Sequence, residues 1–227
     1  LGAQGLKHLG NLKYDAAPLP ADPKESGKII SAVGGRQRWL AASTHEGEEL
    51  IAARTHKVLR EIHEDLLTII VPRHPNRGAS IYDKLRKLGV QVARRSKGDV
   101  ITDETDIYLA DTMGELGIFY RIAGIVFIGG SLVPHGGQNP LEPARLDCAI
   151  IMGPHMDNFP SIVADFVRGD GCLRVADEAE LCSTLEDILH HDELQEKLVH
   201  ASTEIVKEEG GAIERTIAEL HPTLEAL

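Results

Sequence analysis

Three clusters in this sequence combine residue types that could grip an anion and a sugar. The stretch FIGGSLVPHGGQNPLEPARL, residues 127–146, ends an apolar run in two glycines, repeats a glycine pair and enters Asn139-Pro140-Leu141-Glu142. Asn is a good N-cap and Pro a good first helical residue, so a helix is expected with Glu142 at its third position, close to a capping box. Glycines let a backbone take positive φ and approach a ligand, and a helix N-terminus favours phosphate. The same residues would also serve as a plain cap, and the two roles are compatible: one carboxylate oxygen can cap while the other accepts from a ribose hydroxyl. In the second cluster, Pro72-Arg73-His74-Pro75, a guanidinium between rigid flanks offers a bidentate grip on phosphate or carboxylate. The third, Met113-Gly114-Glu115, opens a helix whose amides and Met side chain could face a flat base; a favourable acidic first turn reads equally well.

These clusters matter because of the elements before them. RWLAAST, LLTIIVP, VQVARR, DIYLADT, IVFIGG, AIIMGP and CLRVA read as strands, and helical spacing separates them, as in HEGEELIAARTHKVLREIH, SIYDKLRKLG and MGELGIFYRIAG. Strand runs alternating with helices imply βαβ units and a parallel sheet, and runs apolar on both faces imply helices on both sides. The expected fold is α/β, a Rossmann-like doubly wound parallel sheet, whose ligands bind beyond the carboxyl ends of the strands. The clusters fall there, as do Ser43-Thr44-His45-Glu46-Gly47 and Gly153-Pro154-His155. Residues 1–35, marked by Gly and Pro with little periodicity, read as an interdomain linker; 36–205 read as the Rossmann-like ligand-binding domain, and 206–227 as a helical tail.

Composition narrows the partners. The 227 residues carry a formal charge of −11 with 4% aromatics, which argues against nucleic acid and against an electrostatic membrane anchor within this segment. No run reaches the roughly 20 apolar residues of a membrane span, and no signal-peptide pattern opens the chain, so the segment is expected to be soluble. Cys148, Cys172 and Cys182 lack C-x-x-C spacing and read as free thiols in a reducing compartment. No metal-ligand motif, P-loop, G-x-G-x-x-G loop after the first strand or G-x-S-x-G elbow is present, so neither a metal nor a nicotinamide or flavin cofactor is expected.

The ordered motifs GNLKYD (10–15), VPRHPNR (71–77), LADTMGELGIFY (109–120), FIGGSLVPHGGQNPLEPARL (127–146) and GPHMDNF (153–159) resemble the C-terminal half of the 3-deoxy-D-manno-octulosonic acid (Kdo) transferases, which add Kdo to lipid A precursors. The resemblance implies the donor-binding half of a metal-independent, inverting GT-B glycosyltransferase with CMP-Kdo as donor. Pro72, Arg73, Met113, Gly114 and Glu115 would contact CMP, and Asn139, Pro140, Leu141 and Glu142 would hold phosphate and ribose. The family's catalytic base, its lipid A precursor site and its contact with the cytoplasmic face of the bacterial inner membrane would lie in an N-terminal domain that nothing here matches, so the chain alone is expected to bind CMP without turnover. The family loop commonly reads Gly-Gly-His-Asn-Pro; position 138 is Gln here, which cannot act as a general acid. Two alternatives stay open from the residues: a GT-B domain using a UDP-sugar, and a non-catalytic nucleotide-binding module.

Overall fold

The computed structural model describes residues 6–225. Its seven strands are β1 (Arg38–Thr44), β2 (Leu67–Pro72), β3 (Val92–Arg94), β4 (Ile107–Leu109), β5 (Ile125–Ile128), β6 (Ala149–Met152) and β7 (Leu173–Arg174). They form one sheet in the order β3-β4-β2-β1-β5-β6-β7, and every pairing is parallel. Successive side chains point to opposite faces of a strand, so each apolar run feeds two cores. Leu40 and Ala42 of β1, Leu67, Ile69 and Val71 of β2, and Val126 and Ile128 of β5 enter one. Trp39 and Ala41, Ile70, and Ile125 and Phe127 enter the other. The first core is covered by α1 (Pro23–Val33), α4 (Leu116–Ala123), α5 (Leu141–Ala144) and α6 (Pro160–Arg168), through residues such as Ile29, Phe119, Leu141 and Phe166. The second is covered by α2 (Glu48–Leu59), α3 (Gly78–Lys87) and α7 (Glu178–His190), through Ala52, Leu85 and Leu185. The expected doubly wound sheet is therefore present, and its double cover explains strands with no polar face.

Of the stretch expected to be a linker, residues 1–5 lie outside the described residues, and residues 12–33 pack onto this body. Asp22 caps α1, its carboxylate accepting from the N–H groups of Lys24 and Glu25 at 2.8 and 2.9 Å. Ile29 and Val33, one helical turn apart, are buried against the sheet. Before α1, Tyr14 is buried and donates to Asp165 at 2.7 Å. Asp15 accepts from the N–H groups of Gly211 and Ile213. The apolar positions here are too few to show a period, so the sequence gives no periodic signal for the packing. The boundary expected at 205/206 falls inside α8 (Asp192–Glu209), and α9 (Ala212–Glu225) follows it.

β1 lies at the centre, with β2 on one side and β5 on the other. Chain order reverses there, so the loops after β1 and β5 diverge and leave a crevice at the carboxyl ends of the strands.

Candidate functional site

A buried carboxylate ties the two diverging loops together. Glu48, the first residue of α2, is 1% exposed. Its Oε2 accepts from the N–H groups of His45 at 2.8 Å and Gly130 at 2.6 Å, and its Oε1 from those of Ser131 and Leu132, each at 3.1 Å. Burial pushes its pKa up against the pull of these N–H groups. At the end of β1, Ser43 takes φ 55°, a left-handed conformation rare for a residue with a side chain. The ladder to β2 slips by one residue at this point. Gly129 packs so closely on the Ser43 carbonyl that a Cβ would collide with it, and at Gly137 a Cβ would strike the Met156 sulfur. These glycines thus serve loop-on-loop packing.

Between the loops lies a cavity of about 300 Å³ lined by Leu19, Pro20, Ser43, Arg73, Gly114, Leu116, Gly117, Gln138 and Glu142. That is the lower end of small-ligand sites. Of the residues expected to bind, Arg73, Gly114 and Glu142 meet here. Arg73 is exposed, and its charge adds a small downward pull on Glu142, whose pKa burial raises, and on His45, whose pKa burial lowers. Glu142 is half-buried, and burial raises its pKa despite the Asn139 amide and the charges of Arg145 and Arg73. Pro72 and Leu141 are buried behind the wall, as is Pro140. Met113 is 74% exposed and lies outside the lining. The Glu115 carboxylate is taken up by Arg95, whose Nε lies 2.6 Å away, and by the Thr112 hydroxyl. Arg95 also reaches Tyr108 and Glu25, so this cluster anchors the Met113–Gly114 turn to β4 and α1.

The capping arrangement also differs from the expectation. Pro140 sits at the N-cap position, α5 runs only over Leu141–Ala144, and Glu142 is its second residue. Pro140 has no N–H, so the Asn139 carbonyl oxygen Oδ1 accepts from Leu141 N at 3.1 Å. Glu142 meets the Asn139 side-chain amide at 3.4 Å and not its backbone, so no capping box forms and the carboxylate faces the cavity.

Sequence reasoning missed Glu48, which reads as an ordinary acidic first turn, and the wall made by Leu19 and Pro20. That wall depends on Gly117, where a Cβ would collide with the Pro20 carbonyl. Gly117→Ala is therefore expected to destabilise the protein by about 1–3 kcal/mol through overpacking. Gly27→Ala in α1, where a Cβ meets nothing within 4 Å, is expected to stabilise it slightly. Thermal denaturation of both variants is the check; an unchanged melting temperature for Gly117→Ala would show that the wall yields freely.

No family model matches the chain. A 3-deoxy-D-manno-octulosonic acid transferase of Haemophilus influenzae is 40% identical over 225 residues, which is 97% of this chain and 52% of that protein. The solved C-terminal CMP-Kdo binding domain of WaaA from Acinetobacter baumannii is 32% identical, with a TM-score of 0.77, covering 81% of this chain and 96% of that one. The chain belongs to the Kdo transferase family. It corresponds to the C-terminal domain of that family and spans about half the length of the curated relatives it matches. The fold is that of a GT-B glycosyltransferase domain; a glycosyltransferase of Rickettsia africae shares it at 17% identity and a TM-score of 0.59, over 95% of this chain and 55% of that one.

In this Kdo transferase domain, the cavity sits beyond the carboxyl ends of the strands, beside the point where chain order reverses. Among the described residues no group of three or more His, Cys, Asp or Glu side chains is placed to hold a metal ion. No helix among them is long and apolar enough to cross a membrane.

Proposed function

We propose that this chain is the donor-binding half of a transferase that moves Kdo from CMP-Kdo to a lipid A precursor. One observation carries the reading: the switch-point cavity sets Arg73, whose guanidinium makes no ion pair or side-chain hydrogen bond among the described residues, beside a half-buried carboxylate, Glu142. A nucleoside monophosphate presents the complementary pair, a phosphate for Arg73 and ribose hydroxyls for Glu142. The Gly114–Leu116–Gly117 edge and the Leu19–Pro20 wall form the slot for the base.

In the whole enzyme, a base on the N-terminal half takes the proton of a sugar hydroxyl on the acceptor. The oxygen bonds to the anomeric carbon of Kdo as the bond from that carbon to the phosphate oxygen breaks, with inversion. The electron pair leaves with CMP, and Arg73 stabilises the charge gathering on the phosphate, which is electrostatic work by a preplaced group. Acceptor binding and association with the cytoplasmic face of the inner membrane belong to the same N-terminal half. This chain alone binds the nucleotide without turnover.

Calorimetric titration with CMP, and with UMP and AMP as controls, tests the reading: CMP is expected to bind best. Glu142→Gln is expected to weaken CMP about tenfold, the scale of one charge-assisted hydrogen bond to ribose. It is also expected to leave the fold as stable or more so at neutral pH. Glu142 has its folded pKa raised, so its favourable contribution is complete below the unfolded value and is lost as pH rises through the folded one. Removing that charge therefore helps at pH 7 and does nothing at pH 3. Equal affinity for all three nucleotides, or a Glu142→Gln variant that loses stability and keeps CMP, would count against the proposal.

A further inference from the structure

Beside the cavity, three protonatable rings meet that the reading above leaves without a task. His45 comes from the loop after β1, His74 from the loop after β2 and His135 from the loop after β5. The His45 and His135 rings stack with centroids 4.1 Å apart and planes 18° from parallel. His74 meets His45 edge-on at 5.9 Å. The charged groups that act on His45 are His135, His74, Arg77 and Arg73. Arg77 is already engaged by Glu49, and the Glu48 carboxylate is turned onto backbone N–H groups, that of His45 among them. The charges acting on His45 among the described residues are thus all positive, and burial, followed by the neighbouring rings and arginines, pushes its pKa down to about 4. Gln138 joins rim to cavity: it lines the cavity, and its Nε2 lies 3.2 Å from His45 Nε2. In that orientation the amide donates to an unprotonated ring nitrogen; turned over, its oxygen accepts from a protonated one.

We propose that the rim of His45, His74 and His135 is the subsite for the carboxylate of the donor's sugar acid, and that filling it takes up a proton. The inference rests on the CMP-Kdo reading and deepens it. In a 2-ulosonic acid the carboxylate sits on the anomeric carbon, the same carbon that bears the phosphate ester. A site for such a donor needs two anion-holding groups side by side. Arg73 is one, and a protonated ring of the rim is the other. The arriving carboxylate supplies the counter-charge that the free protein lacks, and the proton comes from solvent to a ring nitrogen. A nucleotide sugar without the carboxylate forgoes the contact and the proton uptake, which makes the rim a discriminator for acidic sugars. Gln138 then follows the proton by turning its amide, a task that needs no acid–base chemistry of its own.

The test titrates the 227-residue chain with CMP-Kdo and with cytidine 5′-methyl phosphate, a phosphodiester of equal phosphate charge that has no carboxylate. Calorimetry between about pH 5 and pH 8, in buffers of different ionisation heat, reads affinity and protons taken up. Binding raises the ring pKa, so affinity is complete below the free-state value and declines as pH rises, by up to about tenfold per pH unit. CMP-Kdo is expected to show this slope with proton uptake, and the methyl ester is expected to be flat. His135→Asn is expected to abolish the slope and to weaken CMP-Kdo selectively. If the methyl ester binds and CMP-Kdo gives the same flat profile, unaffected by His135→Asn, the rim proposal is overturned while the donor reading stands. If neither ligand binds, the donor reading fails and takes the rim proposal with it.

Discussion

Arg73→Ala is expected to weaken CMP binding about a hundredfold while the melting temperature stays within a degree or two of the parent. A charge-assisted hydrogen bond to phosphate contributes about 1.5–3 kcal/mol, and a bidentate guanidinium grip lies at or above the top of that range. Arg73 is exposed and lines the cavity. Its backbone N–H continues the ladder onto the Thr44 carbonyl at 3.0 Å, and this bond survives truncation. Arg77 is the contrast. It holds the buried Glu49 through two bonds of 2.9 and 3.2 Å, so Arg77→Ala strands a carboxylate that is 3% exposed and is expected to lower stability by about 3 kcal/mol. On the donor reading, the pair separates a guanidinium kept for a ligand from one kept for the fold. Calorimetry and thermal denaturation on both variants make the check, and Arg73→Ala binding CMP like the parent would remove the phosphate assignment.

The fold was legible because each strand carries its own signal. IVFI and AIIM are apolar throughout, and in the structure their alternate side chains enter two different cores, as continuous apolar runs in a parallel sheet imply. The segment before α1 gave no such signal, since Tyr14, Ile29 and Val33 are too sparse to form a period, although the Asp22-Pro23 cap was there to be read. The site was legible in part. Arg73, Gly114 and Glu142 converge because each follows or borders a strand end, a rule of position rather than of contact. What sequence does not encode locally is which side chain a carboxylate will choose. Glu115, in a helix-opening turn, is spent on Arg95 and Thr112, whereas Glu142 escapes the expected cap because the helix starts one residue later, with Pro140, which has no N–H, at the N-cap position. The histidine rim draws on residues 45, 74 and 135, scattered over three loops, so no window of sequence displays it.

Glu48→Ala is expected to be the most damaging single change, costing about 3–5 kcal/mol, on the order of 10 °C in melting temperature for a chain of this size. The reason is the number of donors left behind. The N–H groups of His45, Gly130, Ser131 and Leu132 all end on this one carboxylate, and a buried donor without an acceptor costs about 1–3 kcal/mol. Glu48→Gln is nearly the same shape and is expected to rescue only half of the loss. Each carboxylate oxygen serves two N–H groups, so whichever way the amide turns, its NH₂ faces two donors. CMP affinity should fall in both variants although Glu48 does not line the cavity, because Ser43, Gln138 and the loops that carry them are spaced by this anchor. Melting temperature and CMP affinity that both survive in Glu48→Gln would show that the loops are held elsewhere. The position gives the anchor a wider meaning. In dinucleotide-binding sheets, the N–H groups at the turn after the first strand receive the phosphate. Here the protein's own carboxylate occupies that turn, in a sequence that has no glycine fingerprint there. On the donor reading, a ligand phosphate finds those donors taken, and its counter-charge comes from Arg73, which makes no ion pair or side-chain hydrogen bond among the described residues.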